Sequence, residues 1–322
     1  MKAVVADPVG GPENLRYVHL PDPQPSEGEA VVKIEAIGVN FIDIYFRKGF
    51  YPAPEKPVRL GQEAAGTIAA VGKNSRFKVG QRVAYALSRG SYAEYAAVPE
   101  RLLADLPENV SFENGAAIML QGMTAHYLTH STFKLERGQT CLIHAAAGGA
   151  GLALVQIAKI AGVTVIGTVS TDEKAQLAKE CGADHVILYT QTDFVSEVKR
   201  LTDNQGVAVV YDSVGSSTFQ KSLDCLRPRG MMVTFGQSSG PIGAIDPLTL
   251  MQKGSLFLTR PNLAQYISSE EELRWRSSDL FRWITEGQLK THIYRVYPLS
   301  QAAQAQGDLE SRRTTGKLLL KP

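Results

Sequence analysis

Short apolar segments alternate with segments of helical periodicity between residues 123 and 261. The apolar or β-branched runs are TCLIH, VTVIGTV, HVILY, VAVVYDSVG and GMMVTFG, and stretches such as GAGLALVQIAKIAG and TDEKAQLAKECG separate them. Parallel strands need a crossover connection, which is most often a helix, so this alternation predicts a doubly wound parallel α/β sheet.

The rest of the chain has a different pattern. Residues 1–122 contain short β-rich segments broken by Pro and Gly, and NFIDIYFRKG predicts one short helix that ends at Gly49. The tail, residues 262–322, is mixed, and its last strand, KLLL, is too short to be stable alone. A chain of 322 residues exceeds the usual size of a single core. We therefore expect one domain over 1–122 and 262–322, and a second over 123–261.

A glycine-rich loop lies between TCLIH and the helical segment that follows it. Its pattern is Ala146-x-Gly148-x-x-Gly151, a dinucleotide-binding fingerprint with Ala in place of the first Gly. Gly148 would let the backbone approach a pyrophosphate, and Gly151 would let the helix pack on the strand. Any α/β protein can contain a tight turn here, but the strand before it, the helix after it and the further βα units favour nucleotide binding.

The end of the second predicted strand indicates which nucleotide is bound. NAD-specific folds place an acidic residue there to bind the ribose 2′-OH, and residues 167–170 contain none. Ser170 or Thr171 can hydrogen-bond a 2′-phosphate, and Lys174 lies one turn into the helix. Alternatively Thr171 caps this helix and Lys174 is solvated, and Asp172 is close enough to leave NAD open. We favour NADPH.

Composition argues against several other classes of protein. The net charge is +2 with no long basic run, which disfavours a dedicated nucleic-acid or membrane binder. The N-terminus, MKAVVADPVGGPE, lacks a signal-peptide h-region. The three cysteines are far apart and form no C-x-x-C pair, as expected of free thiols in the cytoplasm.

Several motifs together resemble one known family. GVNFID, GQEAAGTIAAVG, HAAAGGAG, YDSVG and GQSSG are similar, in this order and over nearly the whole chain, to the zinc-free quinone oxidoreductase (zeta-crystallin-like) branch of the medium-chain dehydrogenases/reductases. This resemblance implies a GroES-like β-rich catalytic domain plus a Rossmann NADPH-binding domain. It also implies hydride transfer from the nicotinamide to a quinone.

The same comparison predicts that no metal takes part. Asn40 and Gln62 stand where the zinc-dependent relatives have Cys and His, and neither is a good zinc ligand. YALSRGSYAEY leaves no room for the cysteine-rich lobe that holds the family's structural zinc. His126 and His130 form an i,i+4 pair, which we interpret as part of an exposed helix surface rather than a metal site.

Without a metal, the reaction needs positioned hydrogen-bond donors for the developing quinol oxyanion. Tyr45 and Tyr51 are the candidates, and the resemblance places them, with Asn40, beside the substrate and the nicotinamide. Packing roles for both tyrosines stay open from the sequence alone. Asp43 is expected to be structural, since a carboxylate would repel the oxyanion.

The resemblance also assigns contacts to the cofactor along the chain. They are Asn40, Phe41, Thr124 and Leu263 at the nicotinamide, Gly149 and Ala150 at the pyrophosphate, Lys174 and Tyr189 at the 2′-phosphate, Ser238, Ser239 and Gly240 at the sheet edge, and Arg260 and Arg312 as further cations. His144, at the end of the first strand, is expected to be structural.

Assembly and alternatives complete the expectations. SLFLT, residues 255–259, should form an apolar edge strand, which relatives pair across a two-fold axis, so a homodimer is expected. An NADPH-dependent reductase of α,β-unsaturated carbonyls is the alternative within the same class. A zeta-crystallin-like RNA-binding or structural protein is the alternative from another class.

Overall fold

The computed structural model describes residues 1–322, which divide into two compact units. The first unit comprises residues 1–123, 266–287 and 291–322, and the second comprises 124–265 and 288–290. No helix of the structure is both long and apolar enough to cross a bilayer.

The first unit contains ten of the strands. They are β1 (Lys2–Ala6), β2 (Leu15–His19), β3 (Glu29–Val39), β4 (Val58–Arg59), β5 (Glu63–Val71), β6 (Arg82–Ala86), β7 (Tyr95–Pro99), β8 (Leu103–Asp105) and, from the end of the chain, β15 (Ile293–Pro298) and β16 (Lys317–Lys321). β2, β1 and β4 form a small sheet, and the other seven form a second sheet of order β15-β16-β3-β5-β6-β8 in which β7 also pairs with β3.

β3 is the central strand of the larger sheet. It is antiparallel to β5, β7 and β16, and most of its side chains are buried. KLLL is expected from the sequence to be too short to be stable alone. In the structure β16 pairs with β3 through Leu318–Leu320 and with β15 on its other side, as this expectation requires. The backbone groups of this short strand are thereby hydrogen-bonded on both edges.

The second unit contains a six-stranded sheet that is parallel throughout. Its strands are β9 (Thr140–His144), β10 (Thr164–Val169), β11 (His185–Leu188), β12 (Val207–Asp212), β13 (Leu226–Thr234) and β14 (Phe257–Thr259). Their order is β11-β10-β9-β12-β13-β14, so the direction of winding reverses between β9 and β12. Ligands of open α/β sheets bind at the carboxyl ends of the strands beside such a reversal.

Helices connect the strands of both units. They are α1 (Phe41–Arg47), α2 (Phe112–Tyr127), α3 (Gly149–Ile160), α4 (Asp172–Glu180), α5 (Phe194–Leu201), α6 (Phe219–Leu223), α7 (Pro247–Gln252), α8 (Leu263–Tyr266), α9 (Glu270–Thr285) and α10 (Ala302–Glu310). A π-helical turn, Leu128–Thr132, continues directly from α2. α1 ends as predicted, with Gly49 in the left-handed region at φ +74°.

Candidate active site

The glycine-rich loop joins the carboxyl end of β9 to the first turn of α3. Gly148 is the N-cap residue, and the Gly148 carbonyl accepts from the N–H of Leu152 at 2.8 Å. The N–H groups of Gly149, Ala150 and Gly151 therefore precede the hydrogen-bonded ladder of the helix. With the positive end of the helix dipole, these three groups form an environment that suits a phosphate.

Gly151 is required by packing, as the sequence predicts. A Cβ there would lie 2.2 Å from the carbonyl oxygen of Ala145 and 2.9 Å from the Cα of Ala146. The loop is itself pressed onto the next strand, because a Cβ on Gly167 would lie 2.7 Å from the Cβ of Ala146. Ala145 has φ +52°, an unusual value for a non-glycine residue, at the point where the chain turns back toward the helix.

The end of β10 brings together the residues predicted to hold a 2′-phosphate. The N–H of Tyr189 donates to the Val169 carbonyl, and the hydroxyl of Thr190 donates to the Ser170 carbonyl at 3.1 Å. These bonds place Tyr189 next to Ser170, and Tyr189 is 49% exposed.

The first turn of α4 follows immediately after Ser170. Thr171 is the N-cap of α4 and accepts from the N–H of Lys174 at 3.3 Å, so the capping interpretation of Thr171 is confirmed. Partial burial lowers the pKa of Lys174, while the charge of Glu173 opposes this shift. A partly desolvated ammonium at this position can bind an anion at a smaller desolvation cost than a fully solvated one.

Two loops at the carboxyl edge of β12 and β13 are bonded to each other. The Asp212 carboxylate accepts from the N–H groups of Val214 and Gly215 and from the hydroxyl of Thr218, which fixes the first loop. The hydroxyl of Ser239 donates to the Val214 carbonyl at 2.7 Å. The N–H of Ser239 donates to the same carbonyl at 2.8 Å, and its hydroxyl accepts from the N–H of Ser217, so Ser239 joins the two loops.

The remaining predicted cofactor residues lie in several places. Arg260 follows β14 and donates to the Gly236 carbonyl at 2.8 Å, close to Ser238 and Gly240 in the chain. Leu263 begins α8 and is buried, and Thr124 is half-buried within α2. Arg312 follows α10 in the first unit, in the left-handed region at φ +59°.

The two candidate tyrosines belong to an aromatic cluster in the first unit. The ring centroids of Tyr45 and Tyr51 are 5.4 Å apart, that of Phe46 is 5.6 Å from Tyr51, and that of Phe41 is 6.4 Å from Tyr45. Both tyrosines are half-buried. The guanidinium of Arg89 lies 5.2 Å from the centre of the Phe46 ring. This cluster presents aromatic faces and two phenol groups, which are suitable contacts for a flat aromatic substrate.

Asn40 precedes this cluster and is buried within the first unit. Its side-chain Nδ2 donates to Glu63 Oε2 at 2.8 Å, and its Oδ1 accepts from Lys317 Nζ at 2.8 Å. Neither Glu63 nor Lys317 is among the site residues expected from the sequence. One signal is available: Lys317 begins the apolar strand KLLL, and a lysine in a buried strand needs a partner for its charge.

Asp43 is fully buried in the first turn of α1. Its Oδ2 accepts from the N–H of Asn40 at 2.9 Å and from the hydroxyl of Tyr92 at 3.1 Å, while Oδ1 has no partner. Burial raises the pKa of Asp43 to about 7, although the Asn40 N–H and the charge of Lys317 lower it. The structural interpretation of Asp43 is confirmed, since it anchors the start of α1.

The histidine pair differs from its predicted setting. His126 is fully buried, so the prediction of an exposed helix surface is wrong. The rings of His126 and His130 stack with centroids 4.3 Å apart. The i,i+4 spacing does put the two rings on one helix face, but Ala125, Tyr127 and Leu128 beside them are also buried, so this end of α2 is packed.

The structure contains no group of three or more His, Cys, Asp or Glu side chains that could hold a metal ion. Metal independence stays a prediction.

His144 is structural, as predicted. It is buried, with Nδ1 2.8 Å from the hydroxyl of Thr168 and Nε2 2.8 Å from that of Ser222. The Ser222 hydroxyl donates its proton to the Thr218 carbonyl, so it accepts a hydrogen bond from Nε2–H of His144. Nδ1 of this tautomer carries no proton and accepts from the Thr168 hydroxyl. Burial lowers the pKa of His144, and the neutral ring bridges β9, β10 and α6.

Two family models match the chain. Residues 26–108 match the alcohol dehydrogenase GroES-like domain, and residues 149–273 match the zinc-binding dehydrogenase domain. Together with the parallel sheet and its glycine-rich loop, these matches define a medium-chain dehydrogenase/reductase. In this chain the two candidate zinc-ligand positions hold Asn40 and Gln62, which are poor ligands for zinc.

Full-length relatives identify the family within that class. The chain is 46% identical to a quinone oxidoreductase of Pseudomonas aeruginosa over 97% of both chains, and 41% identical to a 2-haloacrylate reductase of Burkholderia over 99% of this chain and 98% of that one. Among solved structures, the quinone oxidoreductase of Escherichia coli, complexed with NADPH, superimposes with a TM-score of 0.98 at 44% identity over the whole of both chains. The chain belongs to the quinone oxidoreductase family.

Proposed function

We propose that this chain is an NADPH-dependent quinone reductase that transfers hydride to a quinone without a metal. The observation that carries the proposal is the similarity to quinone oxidoreductases over nearly the full length of the chain. One hydride and one proton convert a quinone into a hydroquinone. Aromatisation of the product supplies much of the driving force, so a metal Lewis acid is not required.

The second unit has residues that fit NADPH. The unpaired N–H groups at the start of α3 would bind the pyrophosphate, and Ser170, Lys174 and Tyr189 would surround the 2′-phosphate. Ser238, Gly240, Arg260, Leu263 and Thr124 are proposed as further contacts, with Phe41 and Arg312 from the first unit. When bound, NADPH supplies the hydride.

The first unit supplies the groups proposed for the quinone. Tyr45 and Tyr51 would donate hydrogen bonds to the quinone oxygen as negative charge develops on it. Their rings would also hold the substrate by stacking. Asn40 borders this cluster in the chain, and its amide is already bonded at both ends. We therefore propose that Asn40 acts by shape and by holding its neighbours in place.

Oxidation of NADPH with a panel of acceptors tests the proposal. The panel contains a benzoquinone, a naphthoquinone, a haloacrylate and an open-chain enone, and we expect the highest kcat/KM with a quinone. The 2-haloacrylate reductase relative makes the α,β-unsaturated carbonyl reductase the second candidate, and a higher kcat/KM with haloacrylate or enone would favour it. If no acceptor of the panel supports NADPH oxidation and RNA gives a salt-dependent gel shift, the RNA-binding alternative is favoured.

The phenol groups are tested by Tyr45→Phe and Tyr51→Phe. Each change removes one hydrogen-bond donor, and we expect a loss of about 0.5–1.5 kcal/mol, because a quinone is a strong acceptor and needs little assistance. The loss should appear in kcat if the bond forms in the transition state, and in KM if it only binds substrate. Ala at either position should cost more than Phe, since the ring is lost as well.

The matched control for the tyrosines is Tyr17→Phe, on the exposed face of β2. It should leave quinone turnover unchanged. NADPH affinity should stay near the parent value in every variant. Parental quinone turnover in both Phe and both Ala variants would show that Tyr45 and Tyr51 serve only in packing.

We propose that the protein is a cytoplasmic homodimer that pairs through β14. This strand is the edge of the parallel sheet, and its Phe257 is 57% exposed. An unpaired apolar edge favours association with a second copy.

We expect light scattering at micromolar concentration to give the mass of a dimer, and we expect Phe257→Asp to shift the protein toward the monomer. The control is Tyr294→Asp, on edge strand β15 of the first unit, which should leave the dimer intact. A monomeric parent protein would contradict the proposal.

A further inference from the structure

A buried ion pair lies at the centre of the first unit. The ammonium of Lys317 is 2.5 Å from Glu63 Oε2, and the two residues are 2% and 0% exposed. Removing two charges from water is costly, and well-packed apolar side chains of similar volume are often at least as stabilising. The presence of the pair therefore calls for a role besides stability.

Both charges are directed at Asn40. Nδ2 of the amide donates to the Glu63 carboxylate, and Oδ1 accepts from the Lys317 ammonium. Turning the amide by half a rotation would place its NH₂ group against an ammonium and its oxygen against a carboxylate. The ion pair thus fixes one orientation of Asn40.

The backbone around Glu63 is shaped to receive its carboxylate. Its Oε1 accepts from the N–H of Leu120, so both carboxylate oxygens are bonded. A Cβ on Gly38 would lie 2.1 Å from Oε2, so only glycine leaves room for this arrangement. The Gly38 carbonyl also accepts from Nδ2 of Asn40, at 3.3 Å.

Asn40 is the N-cap residue of α1. Its N–H donates to Asp43, and the other end of α1 is held by Arg47, whose guanidinium donates to Gln306 and Glu310. A helix of seven residues is too short to be stable by itself, so these end contacts determine its position. α1 carries Tyr45, and the N–H of Tyr51 donates back to the Tyr45 carbonyl at 3.3 Å.

We propose that Lys317 and Glu63 are positioning residues for quinone reduction, which act through Asn40 and α1 on Tyr45 and Tyr51. The inference rests on the proposed function and adds two residues to it. Because the pair is neutral as a whole, its contribution is the geometry of the two phenol groups and not a charge on the developing oxyanion.

Three variants test the inference. Lys317→Met and Glu63→Gln each leave one buried charge without its partner, and the double variant removes both charges. We expect a lower melting temperature in each single variant and a recovery in the double variant. The kcat/KM for quinone should fall by about ten- to a hundredfold in all three, since a small misplacement of reacting groups is enough for such a loss. The Kd for NADPH should stay unchanged.

Lys221→Met is the matched control, because it breaks an exposed ion pair with Asp193 in the second unit. It should retain the parent kcat/KM. A double variant with parent kcat/KM, or one in which NADPH affinity falls as much as kcat/KM, would overturn the inference. Glu63→Gln is nearly isosteric and covers the case in which the Met variants do not fold; parental kcat/KM in this folded variant would overturn it equally.

The parent protein is measured in the same assay. Absence of NADPH-dependent quinone turnover in the parent would refute the proposed function, and with it the inference. An active parent with fully active variants would refute the inference alone.

Discussion

Gly151→Ala is expected to abolish NADPH binding and to destabilise the second unit by about 3 kcal/mol, the upper end of the usual cost of overpacking. The added Cβ would meet the Ala145 carbonyl oxygen at 2.2 Å and the backbone of Ala146 at 2.9 Å. These are backbone atoms, so no side-chain rotation can relieve the clash. Either α3 or the loop must move, and both carry the N–H groups that would bind the pyrophosphate.

Gly307→Ala is the matched control for this change. Gly307 lies within α10, and a Cβ there would meet nothing within 4 Å. Alanine at such a helical position should stabilise the protein by about 0.4–1 kcal/mol. Chemical denaturation measures the free energy of unfolding, and fluorescence titration measures the Kd for NADPH. A Gly151→Ala variant with parental stability and affinity would contradict the assigned role of the loop.

Lys174→Ala is expected to remove most of a preference for NADPH over NADH. One charge-assisted hydrogen bond to the 2′-phosphate contributes about 1.5–3 kcal/mol. At ~1.4 kcal/mol per factor of ten, this corresponds to a preference of about ten- to a hundredfold in the parent protein. Lys174 is only partly buried, so the preference should narrow as the salt concentration rises.

Lys179→Ala provides the control on the same helix. Lys179 is exposed in the last turn of α4, away from Ser170 and Tyr189 at the end of the sheet. Its removal changes the net charge by the same amount and should leave the cofactor preference intact. Kd values for both nucleotides should be measured at two ionic strengths. Equal binding of NADPH and NADH by the parent protein would contradict the prediction.

The sequence predicted the nucleotide-binding unit well because its signals are local. A strand, a glycine-rich turn and a helix lie within about twenty consecutive residues, and the requirement for glycine at position 151 follows from the contact between adjacent elements. The same holds for the capping role of Thr171, whose hydroxyl accepts from the N–H of Lys174 three residues further on. In each case the neighbours in the chain are also the neighbours in space.

Side-chain partners were less predictable. The spacing of His126 and His130 correctly places their rings on one helix face, but it does not reveal whether that face meets solvent or the core. Similarly, Ser239 is a reasonable cofactor contact from its position after a strand. Only the packing of two loops from different strands shows that its hydroxyl bonds to Val214.

By itself, the sequence determined the class of each domain, the position of the glycine-rich loop and the aromatic segment that contains Tyr45 and Tyr51. The tertiary structure alone decided the environment of Asn40. Lys317 is 277 residues from Asn40 and 254 from Glu63 in the chain, and antiparallel pairing of β16 with β3 brings them together. Periodicity reports which face of an element is buried, whereas the partner of a buried charge depends on which distant strands become neighbours.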